Sequence, residues 1–238
     1  LQQTSGPWDN SELSATLKTS NTSKNILEKY DDYISKDAIL DLSIDRNDER
    51  TKVKNALKLL SKNGWKIKNG KMIQNKNILE FEVITNQSNM ERLLLIWKDK
   101  LKKIGVNIRI RILDSSEFQN RISTFNFDAI IFKYYMSLSP GNEQSIYWGS
   151  WAANKNGSRN YSGISHPAID ETIKKITNSK NRNNLIEYTR TLDRILRNGN
   201  WMIPLFHDPY HRIAHQEYIS IPKKIPLYGF NAWTAWKK

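Results

Sequence analysis

Between residues 78 and 132 the chain reads ILEFEVIT (78–85), then VNIRIRIL (106–113), then FDAIIF (127–132), with helix-patterned segments between them. The first stretch alternates as a strand. The second alternates strictly: Val106, Ile108, Ile110 and Ile112 face one way, Arg109 and Arg111 the other. The third is a near-continuous apolar run, the pattern of a strand buried on both faces. After the first, Asn89 is expected to cap a long helix carrying Leu93, Leu94, Trp97, Leu101 and Ile104, which Gly105 ends. After the second, Ser115 or Ser116 is expected to cap a helix carrying Phe118 and Ile122. Strand, helix, strand, helix, strand implies parallel strands with right-handed crossovers, an α/β lobe. Such sheets bind ligands beyond the carboxyl ends of their strands, so the segment past Phe132 is the place to look for a site.

Upstream, Val53, Ala56, Leu57 and Leu60 recur at helical spacing, and Asn63-Gly64 closes that helix with a left-handed residue. Trp65–Ile67, the turn Asn69-Gly70 and Lys71–Ile73 read as a small hairpin. Residues 1–50 are polar and weakly patterned, with a short helix expected over Ile26–Ile34. Downstream, Pro167–Ile176 and Asn183–Leu196 read as helices, the second with a stripe of Leu185, Tyr188, Leu192 and Ile195. Trp201–Phe206, WMIPLF, reads as an apolar strand, and the tail from Tyr218 to Trp236 as extended chain. The expected division is a lead-in over 1–50, an α/β lobe over 51–210 and an extended tail over 211–238.

The bulk numbers exclude several classes. With 238 residues, 38% hydrophobic and 26% charged, the chain can bury a sizeable core. No apolar run approaches the ~20 residues that span a bilayer. The opening LQQTSGPWDNSEL has no basic start and no apolar centre, so it is not a signal peptide, and the chain reads as an excised piece or a mature product. The absence of cysteine removes disulfides, thiolate catalysis and Cys-ligated zinc. The net charge of +13 suits nucleic acid, an anionic membrane surface or acidic small molecules as partners, and also the Lys-, Asn- and Ile-rich composition of an AT-rich genome. The charges read as spread along the chain, densest at Lys98–Lys103, and no nucleic-acid partner is expected.

The segment IYWGSWAANKNGSRNYSGI (146–164) concentrates aromatics and hydrogen-bonding side chains without an acidic residue. Aromatics give a pocket large contact area at low entropy cost, which points to Tyr134 and Trp148 as well as Tyr135, Tyr147 and Trp151. Arg159 suits a carboxylate or phosphate, and Asn160 can bond a peptide backbone from both sides. Each has a plain alternative: core packing for the aromatics, and loop anchoring for Arg159. His207, His211 and His215 are spaced by four, but Pro209 interrupts, so they read as solvated or packing residues and no metal is expected. Asp193-Arg194 and Asp170-Glu171 read as solvated helix faces. No nucleophile elbow, phosphate loop or zinc-protease helix is present, so neither catalysis nor a cofactor is expected.

Taken in order, ALKLLSKNGWKIKNGKMI (56–73), LLIWKDKLKKIGVNIRIRILDSSEFQNRISTFNFDAII (94–131), SPGNEQSIYWGS (139–150), GSRN (157–160), HPAIDETIKKI (166–176) and LDRILRNGNWMIPLFH (192–207) form a pattern. With NSEL (10–13) and ILEKYDDYI (26–34), they resemble the C-terminal half of the bacterial oligopeptide- and dipeptide-binding proteins, the family 5 solute receptors of ABC importers. The likeness runs from about residue 7 to 236 and is greatest to the branch taking up oligopeptides and microcin C-type compounds. It implies a periplasmic binding protein type II-like lobe with a mixed, mainly parallel sheet flanked by helices. It implies no catalysis, an oligopeptide or peptide-like ligand, a membrane permease as partner, a periplasmic location and an N-terminal lobe outside this chain. The last ~25 residues would then belong by analogy to that first lobe, and a degenerate or split receptor half is the related alternative. In the oligopeptide branch an Asp after the last strand of the βαβ run pairs with the peptide's amino terminus. Aligning on Phe127-Asp128 places that position at Ser137, which cannot supply the charge; Glu143 is the nearest acid. The ligand-facing set implied is Tyr134, Ser137, Trp148, Arg159 and Asn160.

Overall fold

The computed structural model describes residues 2–3, 6–8, 11–15, 21–30, 48–207, 210, 212–224 and 229–237. Its chain opens with strand β1 (Gln2–Gln3) and helix α1 (Asn21–Lys29). Helix α2 (Glu49–Lys62) begins where the Asp48 carboxylate accepts from the Thr51 amide at 2.8 Å, and it ends before Gly64, whose φ is +84°. An antiparallel meander follows: β2 (Lys66–Lys68), β3 (Lys71–Gln74) and β4 (Asn77–Ile78). Its first turn is the expected Asn69-Gly70, with positive φ at both residues. Its second turn, Asn75-Lys76, has the same geometry without a glycine, and the sequence pattern did not show it.

Strand β5 (Glu80–Thr85), helix α3 (Glu91–Lys102), strand β6 (Asn107–Ile112), helix α4 (Ser115–Ser123) and strand β7 (Ala129–Ile130) form the expected alternation. The strands lie in the order β6-β5-β7 and both pairings are parallel, with Val83 opposite Ile110 and Ala129. The alternation of β5 explains the two layers. Val83 joins Leu94 of α3 and Ile108 in one cluster, with Trp97 and Leu101 against it. Ile84 joins Phe118 and Ile122 of α4 in a second cluster on the opposite face. Beyond Ile84 that second face is ionic: Glu82 accepts from Arg111 Nε at 2.8 Å and Arg121 Nη2 at 2.6 Å, and Arg109 pairs with Glu80.

Four local expectations need correction. The single strand 78–85 is broken at Leu79, whose amide donates to Met72 O (2.9 Å) while its carbonyl accepts from Asn107 N (3.3 Å), so the chain changes sheets there. Asn89 lies inside a short 3₁₀ turn, Ser88–Met90, and does not cap α3. Asp114 caps α4, accepting from the amides of Ser116 and Glu117 at 2.9 Å each; an ionised carboxylate outcompetes a serine hydroxyl for that place. The run FDAIIF contributes only Ala129–Ile130 to the ladder, and its apolar residues are half-buried at the sheet's edge, Ala129 and Ile131 against one cluster and Phe127, Ile130 and Phe132 against the other.

Helix α5 (Glu143–Trp148), α6 (Pro167–Thr177) and α7 (Arg182–Asn198) build the largest cluster. Ile169, Ile173 and Ile176 of α6 meet Leu192, Ile195 and Leu196 of α7, with Trp148, Ile164 and Leu27 of α1. Burying each such side chain contributes about 1.5–3 kcal/mol. The lead-in segment is part of this core: Trp8 and Leu13 are buried in it. Asp193 is fully buried and accepts from Ala15 N at 2.7 Å and Arg197 Nε at 2.9 Å, while Arg194 donates to Ala15 O at 2.8 Å. Asp193-Arg194 is therefore a clasp on the lead-in chain and not a solvated face. Asp170 accepts from Ser150 N, and Glu171 accepts from Lys29 and Tyr30, so that pair also ties elements together.

The stretch 201–205 is not a strand. Pro204 lacks a ladder donor, and pairing begins only at β8 (Phe206–His207), antiparallel to β1. His211 lies outside the described residues. In the tail, β9 (Ile219–Ser220) pairs antiparallel with β10 (Trp236–Lys237), so the chain doubles back there.

Candidate functional site

Chain leaving β7 passes the carboxyl end of the parallel sheet, where Ile131 N still reaches Ile84 O at 3.3 Å. From there an aromatic row begins. Phe132 lies 4.9 Å from Tyr134 and 4.7 Å from Tyr161, centroid to centroid, both edge-on. Tyr134 in turn lies 5.6 Å from Tyr147 at 87° and 5.0 Å from Trp148. Edge-to-face contacts of this kind fix ring positions beyond what burial alone does. Burial pushes the Tyr134 hydroxyl well above its ordinary range, and Tyr161 rises for the same first cause, so both stay neutral and able to donate.

The five residues expected at the site separate into two groups. Trp148 and Asn160 are each 0% exposed. The indole of Trp148 donates to Gln144 Oε1 at 3.0 Å, and its ring sits in the helical core. Asn160 Nδ2 donates to Gly149 O (3.0 Å) and Ile164 O (2.8 Å), and its Oδ1 accepts from Ile164 N (2.8 Å). Both N–H donors of that amide and one lone pair of its oxygen are used inside the loop. In this arrangement neither side chain reaches a solute, which corrects their placement on a ligand wall. Asn160 staples the turn, and Trp148 supports Tyr134 from behind.

Tyr134, Ser137 and Arg159 keep access to the outside. Arg159 is exposed and its Nη1 donates to the Tyr147 hydroxyl at 3.3 Å, with the guanidinium 5.9 Å from that ring's centre. Among the described residues it has no carboxylate partner. Ser137 is half-buried. Its Oγ accepts from Ser139 N at 2.9 Å and its carbonyl accepts from the Trp8 indole at 3.1 Å, so the hydroxyl proton remains to donate. Glu143 does not replace the missing acid: its carboxylate accepts from Gly141 N at 3.0 and 3.1 Å and from the Gln144 amide. Farther along, Trp151 is 54% exposed with the Lys155 ammonium 4.9 Å above its ring.

The loop from Gly149 to His166 is held at both ends. Ser158 Oγ donates to Ala152 O at 2.6 Å, His166 N donates to Ser150 Oγ at 3.0 Å, and the His166 ring accepts from Ala168 N to cap α6 ahead of Pro167. Gly157 and Gly163 have positive φ. Gly149 does not; a side chain there would come within 2.6 Å of Ser145 O, so its requirement is closeness. Three participants carried no signal of their own in the sequence: Gln144 beneath Trp148, Tyr161 in the aromatic row, and Trp8, which comes from 129 positions away to the carbonyl of Ser137.

A family model described as bacterial extracellular solute-binding proteins, family 5 Middle, matches residues 12–156. The uncharacterized protein y4wM of Sinorhizobium fredii is 36% identical over 189 residues, 79% of this chain and 28% of that protein. The probable peptide-binding protein YejA of Agrobacterium fabrum is 35% identical over 190 residues, 79% of this chain and 31% of that protein. The chain thus spans under a third of the length of these relatives. The oligopeptide-binding protein AppA of Bacillus subtilis, solved with a nonapeptide, superposes on 97% of this chain and 48% of its own, with a TM-score of 0.63 and 20% identity. That likeness shows the fold, the α/β architecture of type II periplasmic binding proteins. The chain belongs to the bacterial extracellular solute-binding proteins, family 5.

Proposed function

We propose that this chain supplies one wall of the solute cleft in an ABC-importer receptor acting outside the cytoplasmic membrane, in the periplasm, with an oligopeptide or peptide-like solute as ligand. A membrane permease takes the loaded receptor, and a second lobe closes on the solute from the other side. The observation that carries this is Arg159, an exposed guanidinium braced by the Tyr147 hydroxyl and with no acid paired to it among the described residues, at the rim of the Tyr134–Tyr147 aromatic pair. Such a group accepts a carboxylate in bidentate fashion, and the rings give side chains of varied shape a surface to lie on. Ser137 offers a neutral donor at the position where the resemblance implies an acid, which favours a carboxylate or carbonyl of the ligand over its amine. The work is binding without catalysis. One wall alone buries little of a solute, so affinity depends on closure.

Calorimetric titration of short peptides into a two-lobed receptor carrying this chain tests the reading. A free C-terminal carboxylate is expected to bind at least tenfold more tightly than the same peptide amidated, and Arg159→Ala to remove that difference. No heat with any peptide pool, or an unchanged preference in Arg159→Ala, refutes it.

A further inference from the structure

Nine of the 37 basic residues and none of the 24 acidic ones fall between Arg50 and Leu79. The charge is therefore not evenly spread: with Glu49 counted at the start of α2, α2 and the β2–β3–β4 meander carry a net +8 of the chain's +13. The denser run Lys98–Lys103 is partly neutralised, since Lys100 and Lys103 both pair with Glu49. Leaving Lys52 aside, none of the nine has a carboxylate partner among the described residues.

Their arrangement works against folding. Arg50, Lys54, Lys58 and Lys62 recur every fourth residue, so like charges stack along one ridge of α2. On the meander, Lys68 and Lys71 are directly opposed across β2 and β3. Lys66 shares their face, as do Ile73 and Ile78, through the pairings Lys66–Ile73 and Ile73–Ile78. This face holds a shallow depression of about 470 Å³, lined by Lys68, Asn69, Lys71, Ile73, Lys76 and Ile78. Repulsion along this ridge and face, which no carboxylate among the described residues pairs against, is relieved by an external anion.

The composition of the face selects which anion. Eight of its nine charges are lysines, flexible point charges, and only one is an arginine able to fork onto a phosphate. Trp65 is its single aromatic and is half-buried, so bases would find no stacking platform. Exposed aliphatics stand among the lysines instead: Leu59 is 63% exposed, one turn from Lys62, and Ile78 is 40% exposed on the lysine face. Lysines that reach headgroups while short apolar side chains rest at the acyl boundary are the pattern of a membrane-surface contact. We propose that the meander, with the ridge of α2 beside it, is a docking face for an anionic phospholipid surface.

Co-sedimentation of the chain with phosphatidylcholine vesicles, with and without phosphatidylglycerol, tests this. Binding is expected only with phosphatidylglycerol, and it weakens as salt rises. Each lysine at such a surface strengthens partitioning about fivefold, so Lys66→Gln, Lys68→Gln and Lys71→Gln together are expected to weaken it roughly a hundredfold. The matched triple Lys24→Gln, Lys174→Gln and Lys180→Gln changes the net charge equally and is expected to lose only a few-fold. Lys54→Gln, Lys58→Gln and Lys62→Gln on α2 give a second series if the meander triple fails to fold. Equal loss in the matched and meander triples, no binding to phosphatidylglycerol, or binding confined to oligonucleotides overturns the proposal.

Discussion

Replacing Asn160 by Ala separates a scaffold from a ligand contact. The amide is fully buried and makes three bonds of 2.8–3.0 Å to the backbone of Gly149 and Ile164. Gly149 O keeps the Ala152 amide as a donor (3.0 Å), so truncation leaves one carbonyl and one amide hydrogen, both of Ile164, buried without partners. Each such group costs about 1–3 kcal/mol, and water entering the vacated space offsets part of the sum, for a net loss of about 2–4 kcal/mol. On usual urea slopes that moves the unfolding midpoint down by about 1–2 M. Arg159→Ala, one residue away but exposed, is expected to change stability by no more than about 0.5 kcal/mol. Urea titration followed by tryptophan fluorescence reads both. A loss below about 1 kcal/mol in Asn160→Ala refutes the reasoning. Normal stability joined to lost ligand heat would return Asn160 to the cleft wall.

Three further outcomes follow from the packing. Asp193→Ala leaves Arg197 without its buried partner and Ala15 N without its acceptor, at a cost of about 3–5 kcal/mol; amide exchange at Ala15 should rise from protected to fast, and unchanged exchange there contradicts the clasp. Glu171 is held down to about 2, first by the Lys29 ammonium and then by the Tyr30 hydroxyl, from an ordinary 4.5. A lowered carboxylate stabilises the fold above its unfolded value and ceases to as pH falls through the folded one. Stability should therefore decline from pH 4.5 toward 2, and Glu171→Gln should flatten that limb in thermal melts taken across the range. Gly105→Ala combines a φ of +74° with a methyl 2.8 Å from Met72 N, whereas Gly157→Ala at φ +79° meets open space. Melting should drop roughly 6–12 °C in the first and roughly 2–4 °C in the second, and equal drops would show that the meander yields to the methyl.

What could be read from residue order was local or periodic. The parallel sheet announced itself through the strict alternation of VNIRIRIL and the helical spacing on either side, because burial of one strand face leaves a period of two and burial of one helix face a period near 3.6. Turn chemistry was as legible at Asn69-Gly70 and Gly105, where positive φ is cheap only for such residues. Asn75-Lys76 was missed because register with β3 and β4, not its own preference, holds it there. At the candidate site, an aromatic-rich segment past the sheet was legible and the depth of each side chain was not. Trp148 and Asn160 have the right chemistry for a solute, and so the right chemistry for a loop: an amide that can bond a peptide from both sides bonds this chain's own backbone instead. Asp193 looked like surface for a related reason. Its partners, Ala15 N and the Arg197 side chain, complete a contact of which one half lies 178 positions upstream, a distance over which no local pattern speaks.

That clasp has a consequence for the order of events during synthesis. The sheet and its two helices draw mainly on residues 79–132 and can begin to assemble once these emerge. Trp8, Leu13 and Ala15 cannot find their place until Asp193, Arg194 and Arg197 exist. At about 5–20 residues per second, the ribosome needs roughly 10–40 s to travel from one side of the clasp to the other. For that interval Trp8 and Leu13 lack the helical core that buries them, beside a folded sheet. Escort by a chaperone, or delay of folding until the chain is whole, is then a requirement set by topology more than by stability.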